Sequence, residues 1–276
     1  MIPLDDSEQV EPEFDANARR FLSPAEWQEY HRMSPTERRG QLRGLLERPI
    51  ARFSLVNEVY FRSRWAQLLQ RLHPGPDLRL LEVATGDADC IPQAMQRVYP
   101  RGIYVSANQN EKLNESFRRH TAGLSLDMRI VAADAAQIAQ HAAPGSFDVV
   151  AFQHGLNDVV QAILCARAGV DTVAADWMET LPRMIAMLQE EVAAGTLEQH
   201  ARQPLLDLLQ VLLQVLKKKG VVAMNHYQFQ LDLDWGYPPA LFDNFIPIVR
   251  GWLQGVPGMR EIRIPGFAPQ WWLFLE

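Results

Sequence analysis

The residues whose types and spacing could do chemistry sit where apolar runs stop. Leu80-Leu81-Glu82-Val83-Ala84-Thr85-Gly86-Asp87-Ala88-Asp89 is the most informative of these places. An apolar run, Leu78 to Val83 apart from Arg79, ends there in an acidic residue and small residues around one glycine. A helical pattern begins near Ile91. Strand, tight turn and helix in that order build a crevice where a nucleotide-like ligand lies against bare backbone. Asn108-Gln109 and Ala133-Asp134-Ala135 follow later apolar runs in the same way. So do two polar clusters, Gln153-His154-Gly155-Leu156-Asn157-Asp158 and Asn225-His226-Tyr227-Gln228. Residues after parallel strands point into the crevice, so these clusters should face each other across a substrate. His154, His226 or Tyr227 could take a proton from an acceptor, and Asn157 or Asn225 could orient an amine or a carboxylate.

Plainer structural readings stand beside these. Asp134 could cap the helix that follows it. For each histidine taken alone, a hydrogen-bonded structural imidazole is the simpler reading. Tyr227 could be a core aromatic. The aromatic residues between 53 and 65 are more simply helix-packing core than lid. A strand-end acid beside small residues has little structural purpose, which favours a functional Glu82.

The elements that must position these residues can be read from periodicity. Strands are expected at Leu78–Val83, Ile103–Ala107, Met128–Ala132, Phe147–Phe152 and Val221–Met224. Between the first four lie helices at Ile91–Val98 and Glu111–His120 and a short one near Gln137. Alternation of strand and helix implies parallel pairing with right-handed crossovers. Asn157–Leu216 reads as almost wholly helical, longer than one crossover needs, with Leu181, Ile185, Leu188 and Val192 at helical spacing. Lys217-Lys218-Lys219-Gly220 reads as a cationic helix end with a glycine stop. A helix at Ile246–Leu253 precedes two final strands, Glu261–Ile264 and Trp271–Leu275, suited to an antiparallel edge pair.

Before Leu78 the chain reads as a helical cap over residues 1–74, with an α/β domain over 75–276 and a helical insertion over about 157–216. Residues 1 to about 18 are acidic and are expected to fray or to lie over another surface. Ser23-Pro24-Ala25-Glu26 and Ser34-Pro35-Thr36-Glu37 each offer a hydroxyl cap, a first-turn proline and a glutamate three residues on. A third helix is expected from Ile50 to Leu72, with Leu55, Val59, Ala66 and Leu69 near one stripe and Phe53, Tyr60 and Trp65 nearby. His73-Pro74-Gly75-Pro76 ends it.

Composition narrows the function classes. The chain has 276 residues, 47% hydrophobic, enough for a proper core. A net charge of -6 argues against a general grip on nucleic acid, and the arginines 32, 38, 39, 43 and 48 read as a solvated helix face. Cys90 and Cys165 are too few for a disulfide framework and lack metal spacing. No secretory signal is apparent. The longest apolar helix, around Leu205–Leu216, is interrupted by Gln210 and Gln214 and is too short and polar to span a bilayer. The expectation is a soluble cytoplasmic protein with a small-molecule substrate, no membrane or nucleic-acid partner and no metal. Its oligomeric state is open, with a homodimer among the alternatives.

From about Leu78 onward the chain resembles the class I S-adenosylmethionine-dependent methyltransferases. Glu82 to Ala88 resembles that family's acidic-x-Gly-x-Gly-x-Gly turn, with Ala84 and Ala88 in place of two glycines. Asn108 stands where the family usually places an acid for the ribose hydroxyls. Ala133-Asp134-Ala135 resembles the piece whose Asp meets the adenine amine, and Leu216-Lys217-Lys218-Lys219-Gly220-Val221 the lead into the fifth strand. The resemblance implies an α/β, Rossmann-like, mostly parallel seven-stranded sheet, with the N-terminal helical cap and the insertion after strand 4. It implies S-adenosylmethionine held by Glu82, Ala84, Gly86, Asn108, Gln109, Asp134, Ala135 and Gln153. Catalytic candidates are His154, Asn157 and Tyr227; substrate-binding candidates are Tyr60, Trp65, Asn225 and His226. Tyr60, Phe61, Trp65, Phe152, Tyr227 and Trp235 offer aromatic faces to a sulfonium. The implied activity is methyl transfer to a small acceptor of secondary metabolism, by in-line displacement. A looser similarity is to azetidine-2-carboxylate synthases, in which S-adenosylmethionine is the sole substrate and cyclises with release of methylthioadenosine. The lost glycines also allow a non-catalytic, methyltransferase-like partner protein.

Overall fold

The structure is a computed structural model that describes residues 7–47, 50–51, 54–73 and 75–276. Phe53, Arg48 and Pro74 lie outside the described residues, as does the part of the acidic N-terminal stretch before Ser7.

The N-terminal helices are α1 (Ser7–Phe21), α2 (Pro24–Arg32), α3 (Pro35–Glu47) and, after a short strand β1 (Ile50–Ala51), α4 (Leu55–Leu72). The expected starts of α2 and α3 are there. Ser23 Oγ accepts from Glu26 N at 3.3 Å while the Glu26 carboxylate accepts from Ser23 N at 2.7 Å. Ser34 Oγ accepts from Glu37 N at 3.1 Å. Of the two fates expected for the acidic stretch, from Ser7 onward it takes the second: it lies over α4 as a helix, because Phe14, Ala18 and Phe21 give it a buried stripe. One expectation is corrected. The third helix begins at Leu55 rather than Ile50, since Ser54 caps it by accepting from Asn57 N. Ile50 and Ala51 instead pair in parallel with Gln228 and Phe229.

The sheet is built from β2 (Arg79–Val83), α5 (Cys90–Val98), β3 (Ile103–Ala107), α6 (Glu111–Thr121) and β4 (Asp127–Val131). A 3-10 turn (Ala135–Gln140) leads to β5 (Phe147–Gln153). The insertion is three helices, α7 (Leu156–Ala168), α8 (Trp177–Ala194) and α9 (Leu197–Val215), with Gly169 and Gly195 as left-handed stops after the first two. The chain closes with β6 (Leu216–Asn225), β7 (Gln228–Phe229), α10 (Gln230–Trp235), α11 (Pro239–Phe242), α12 (Phe245–Leu253), β8 (Glu261–Ile262) and β9 (Trp272–Leu275). The seven-stranded sheet runs β4-β3-β2-β5-β6-β9-β8, parallel up to β6, with β9 antiparallel to both neighbours. This is the mostly parallel Rossmann-like sheet that the resemblance implies.

Strand alternation splits the core in two. Leu81, Val83, Val150, Phe152, Val222 and Met224 face α7, α9 and α12. Leu80, Tyr104, Val149, Ala151 and Ala223 face α1, α4 and α5. Buried Arg62 on α4 ties the second layer together: it donates to Phe21 O at 3.0 Å and pairs with Glu58 at 3.1 Å and Asp89 at 3.3 Å.

Lys217–Gly220 is not a helix end. The helix stops at Val215, and register jumps from Phe147↔Leu216 to Val149↔Val221, so these residues bulge out of the start of β6. Asp148 explains the cationic run in part: Lys217 Nζ donates to both its oxygens, at 2.8 and 2.9 Å.

Where the strand order reverses, between β2 and β5, the backbones approach closely. A Cβ added to Gly155 would meet the carbonyl oxygens of Val83 and Ala84 at 3.1 Å each and Ala84 Cβ at 3.2 Å. Gly155→Ala is therefore expected to destabilise the fold by about 1–3 kcal/mol through overpacking against backbone. The check is a lowered urea midpoint with an unchanged slope.

Candidate functional site

A cavity of about 500 Å³ opens at the carboxyl ends of β2, β3 and β4. That lies within the usual range for small-molecule sites, about 300–1,000 Å³. One wall is α7, with Asp158, Val159 and Ile163; Pro204 and Leu208 of α9 extend it, and residues 170–173 with Trp177 cover it. Ala84, Gly86, Asn108, Gln109, Asp134 and Ala135 all line it together.

The turn after β2 is shaped by two left-handed residues, Ala84 at φ 53° and Gly86 at φ 60°. An added Cβ at Gly86 would meet nothing within 4 Å. At Ala84 the left-handed backbone costs about 1–2 kcal/mol for an L residue, and strain of this kind collects at functional sites. The turn is held by Ala84 N donating to Ala107 O at 3.1 Å. Asn108 braces it from β3: its Nδ2 donates to Gly86 O at 3.1 Å and its Oδ1 accepts from Asn110 N at 3.3 Å. Asp134 caps the 3-10 turn by accepting from Ala136 N at 2.9 Å while it lines the cavity, so both of its expected roles coexist.

The cover was not foreseen. Asn110, 1% exposed, accepts from Leu113 N at 3.0 Å and donates to Thr172 O and Ala175 O, each at 3.0 Å. Glu111 N donates to Val173 O at 3.2 Å, and Gln109 Nε2 to Thr172 Oγ1 at 3.2 Å. Residues 170–176 are thereby strapped across the mouth. An Asn before a helical run is legible as a cap; its pairing with a segment far along the chain is not.

Several expected site residues lie elsewhere. Strand alternation puts Glu82, Gln153 and Asn225 on the face covered by α4 and α5, away from the cavity. Glu82 is 1% exposed and accepts from Tyr104 OH at 2.5 Å. Burial pushes its carboxyl up to about 8; the Asp89 charge adds to this and the Tyr104 bond opposes it. Gln153 accepts from Trp65 Nε1. Tyr227 OH lies 3.1 Å from Tyr60 OH and accepts from Trp272 Nε1 at 3.2 Å, with Phe61 edge-on to its ring. Tyr60, Phe61, Trp65 and Tyr227 are thus core aromatics, Phe152 belongs to the other core layer, and Trp235 is exposed at the end of α10.

Asn225 Oδ1 accepts from His154 N at 3.1 Å. His226, 1% exposed, stacks on His154 with ring centroids 4.4 Å apart, and burial holds it neutral by pushing its pKa well below the ordinary range. His154 adopts φ 55°, and its Nε2 lies 3.4 Å from Asp232. Asn157 donates to Asp158 Oδ1 at 2.9 Å. Of this knot it is Asp158 that faces the cavity. Among the described residues no group of three metal-ligating side chains gathers, and no helix is long and apolar enough to cross a membrane.

No protein-family model and no curated protein matches the chain. Among solved structures it is similar to an S-adenosylmethionine-dependent methyltransferase from Aquifex aeolicus, at 12% identity and a TM-score of 0.47, over 76% of this chain and 87% of that one. A candidate S-adenosylmethionine-dependent methyltransferase from Methanococcus maripaludis gives 9% and 0.49 over 78% and 84%. A candidate caffeoyl-CoA O-methyltransferase from Staphylococcus aureus gives 11% and 0.46 over 90% and 95%.

The raised Glu82 carboxyl makes stability depend on pH. The folded state holds this proton more tightly than the unfolded chain. The stabilisation is therefore complete below about 4.5 and is lost as pH rises to about 8. Glu82→Gln should remove a loss on the order of a few kcal/mol across that window. Urea unfolding of both proteins at the two ends of the window checks it; parallel declines would place the effect elsewhere.

Proposed function

We propose that this chain binds S-adenosylmethionine in the cavity and directs displacement at a carbon beside its sulfur, passing the methyl group to a small acceptor. The observation that carries this reading is the meeting of the β2 turn, Asn108-Gln109 and Asp134-Ala135 in one cavity at the switch point of a parallel sheet. The residues present suit such a ligand. The turn at Ala84–Gly86 offers unobstructed backbone, Asn108 and Gln109 stand at the end of β3, and Asp134 stands after β4. The wall carries carboxylates and apolar groups, which suits a cation with an apolar body.

When bound, S-adenosylmethionine supplies an activated carbon with a neutral thioether as leaving group. The protein therefore needs no acid for that group. It needs alignment and the exclusion of water. Val159, Ile163, Val170 and Leu208 supply dry walls, and the strap over residues 170–176 covers them.

A second reading is intramolecular cyclisation of S-adenosylmethionine. One observation favours it: Tyr60, Trp65, Asn225 and His226, the residues expected to bind an acceptor, and Tyr227, a candidate to take its proton, are packed away in the protein interior.

Calorimetry with S-adenosylmethionine tests the shared premise, and absence of binding would sink both readings. Asp134→Asn keeps the cap but removes the charge, and should weaken binding by about 1–3 kcal/mol. Incubation with S-adenosylmethionine and no acceptor, followed by mass spectrometry, separates the two: methylthioadenosine with a cyclic amino acid supports the second.

A further inference from the structure

Among the described residues the charged ones that line the cavity are Asp134, Asp158 and Asp171, and no Lys, Arg or His lines it. Two of the three are engaged in shaping loops. Asp134 accepts from Ala136 N, and Asp171 Oδ1 accepts from Val173 N at 2.8 Å and Ala174 N at 3.1 Å. Asp158 is different. Among the described residues its carboxylate receives one hydrogen bond, from Asn157 Nδ2 at 2.9 Å, and no cation is paired with it. Asn157 is itself 4% exposed and its Oδ1 has no partner.

A half-buried carboxylate against apolar walls is costly to ionise without a counter-charge. Beside Asp158 an acceptor's phosphate or carboxylate would meet a like charge and, among the described residues, no lining cation to offset it. A ligand bearing an ammonium would supply both the missing charge and hydrogen-bond donors.

We propose that Asp158 is the proton-accepting residue of this cavity and that the group it serves is an amine arriving as its ammonium. The proposal rests on the cofactor reading above and deepens it. The proton passes from the ammonium nitrogen to a carboxylate oxygen of Asp158. The freed lone pair forms the new C–N bond as the C–S bond breaks, and the C–S electron pair stays on sulfur. The amine comes either from a separate acceptor or from the α-amine of S-adenosylmethionine; the chemistry at Asp158 is the same.

The surroundings are arranged for proton transfer near neutrality. Burial pushes the Asp158 carboxyl up to about 7; His154 at the end of β5 opposes the rise and Asp232 on α10 adds to it. The other titratable groups around it are Tyr237 after α10, Asp171 on the strap and Asp134 after β4, with His226 behind His154. Trp177, Pro204 and Leu208, which line the cavity from α8 and α9, carry no titratable group.

The test is calorimetric and needs no turnover. The probes are 5′-methylthioadenosine, which lacks an amine; S-adenosylhomocysteine, which carries one; and 2-phenylethylammonium, 2-phenylethanol and phenylacetate, titrated into protein loaded with methylthioadenosine. Wild type and Asp158→Asn are compared at about pH 8, where Asp158 is ionised. Methylthioadenosine should bind both proteins alike, which shows the cavity intact. At least one ammonium probe should bind the variant about tenfold more weakly or worse. Loss for phenylethylammonium names a separate acceptor; loss for S-adenosylhomocysteine names the cofactor's own amine. In wild type the preference for phenylethylammonium over phenylethanol, or for S-adenosylhomocysteine over methylthioadenosine, should fade as pH falls below about 7, a readout that survives even if the variant does not fold. The proposal is overturned if neither ammonium probe distinguishes the two proteins, if no such preference fades with pH, or if phenylacetate binds as well as the ammonium. Failure of the cofactor reading looks different: methylthioadenosine then binds neither protein, and phenylethylammonium titrated into the two unloaded proteins still decides the role of Asp158.

Discussion

At the centre of the sheet β2 and β5 run side by side, and at their carboxyl ends the chain must leave in opposite directions. From β2 it turns through Ala84 and Gly86 into α5, which packs on one face. From β5 it turns through His154 and Gly155 into α7, which packs on the other. The parting of these two backbones makes the crevice. Gly155 eases it, since a Cβ there would press on the carbonyls of Val83 and Ala84 at 3.1 Å. The left-handed φ of Ala84 and His154 flanks the same contact, so local strain and close approach occur together.

From that parting the polar inventory divides. Side chains that leave with α7, above all Asp158, look into the cavity. Side chains that alternate toward α4 and α5 are sealed into the other layer: Glu82 and Gln153 accept from Tyr104 and Trp65, and Asn225 accepts from the backbone N–H of His154. A buried carboxyl there stays protonated near neutrality because nothing cationic adjoins it closely enough to offset desolvation.

Much of the frame was legible in the sequence. Ile103–Ala107 is a strand with the bounds its periodicity suggests, and the edge pair at the end of the chain is antiparallel as expected. The six cavity residues from Ala84 to Ala135 were legible because their place after strands is a local property. What was not legible depended on pairings between distant segments. Glu82 sits at a strand end, but which face it takes is set by its neighbours Leu81 and Val83 claiming the opposite one. The strap needs Asn110 to meet Thr172 and Ala175, and the strand at Ile50–Ala51 is too short to carry a period. The bulge at Lys217–Gly220 mimics a helix end in composition, since cations and glycine suit either.

The pairing of Ile50–Ala51 with Gln228–Phe229 also has a consequence for how the chain reaches this fold. Tyr60 and Tyr227, whose hydroxyls meet beside it, are 167 residues apart in sequence. Closing so long a loop is slow, and the contacts that reward it come last. During synthesis the N-terminal helices cannot dock fully when they emerge; their seat is completed only after β7 has left the ribosome. These helices are therefore among the last elements to settle, and their apolar faces stay exposed to mispairing in the interval.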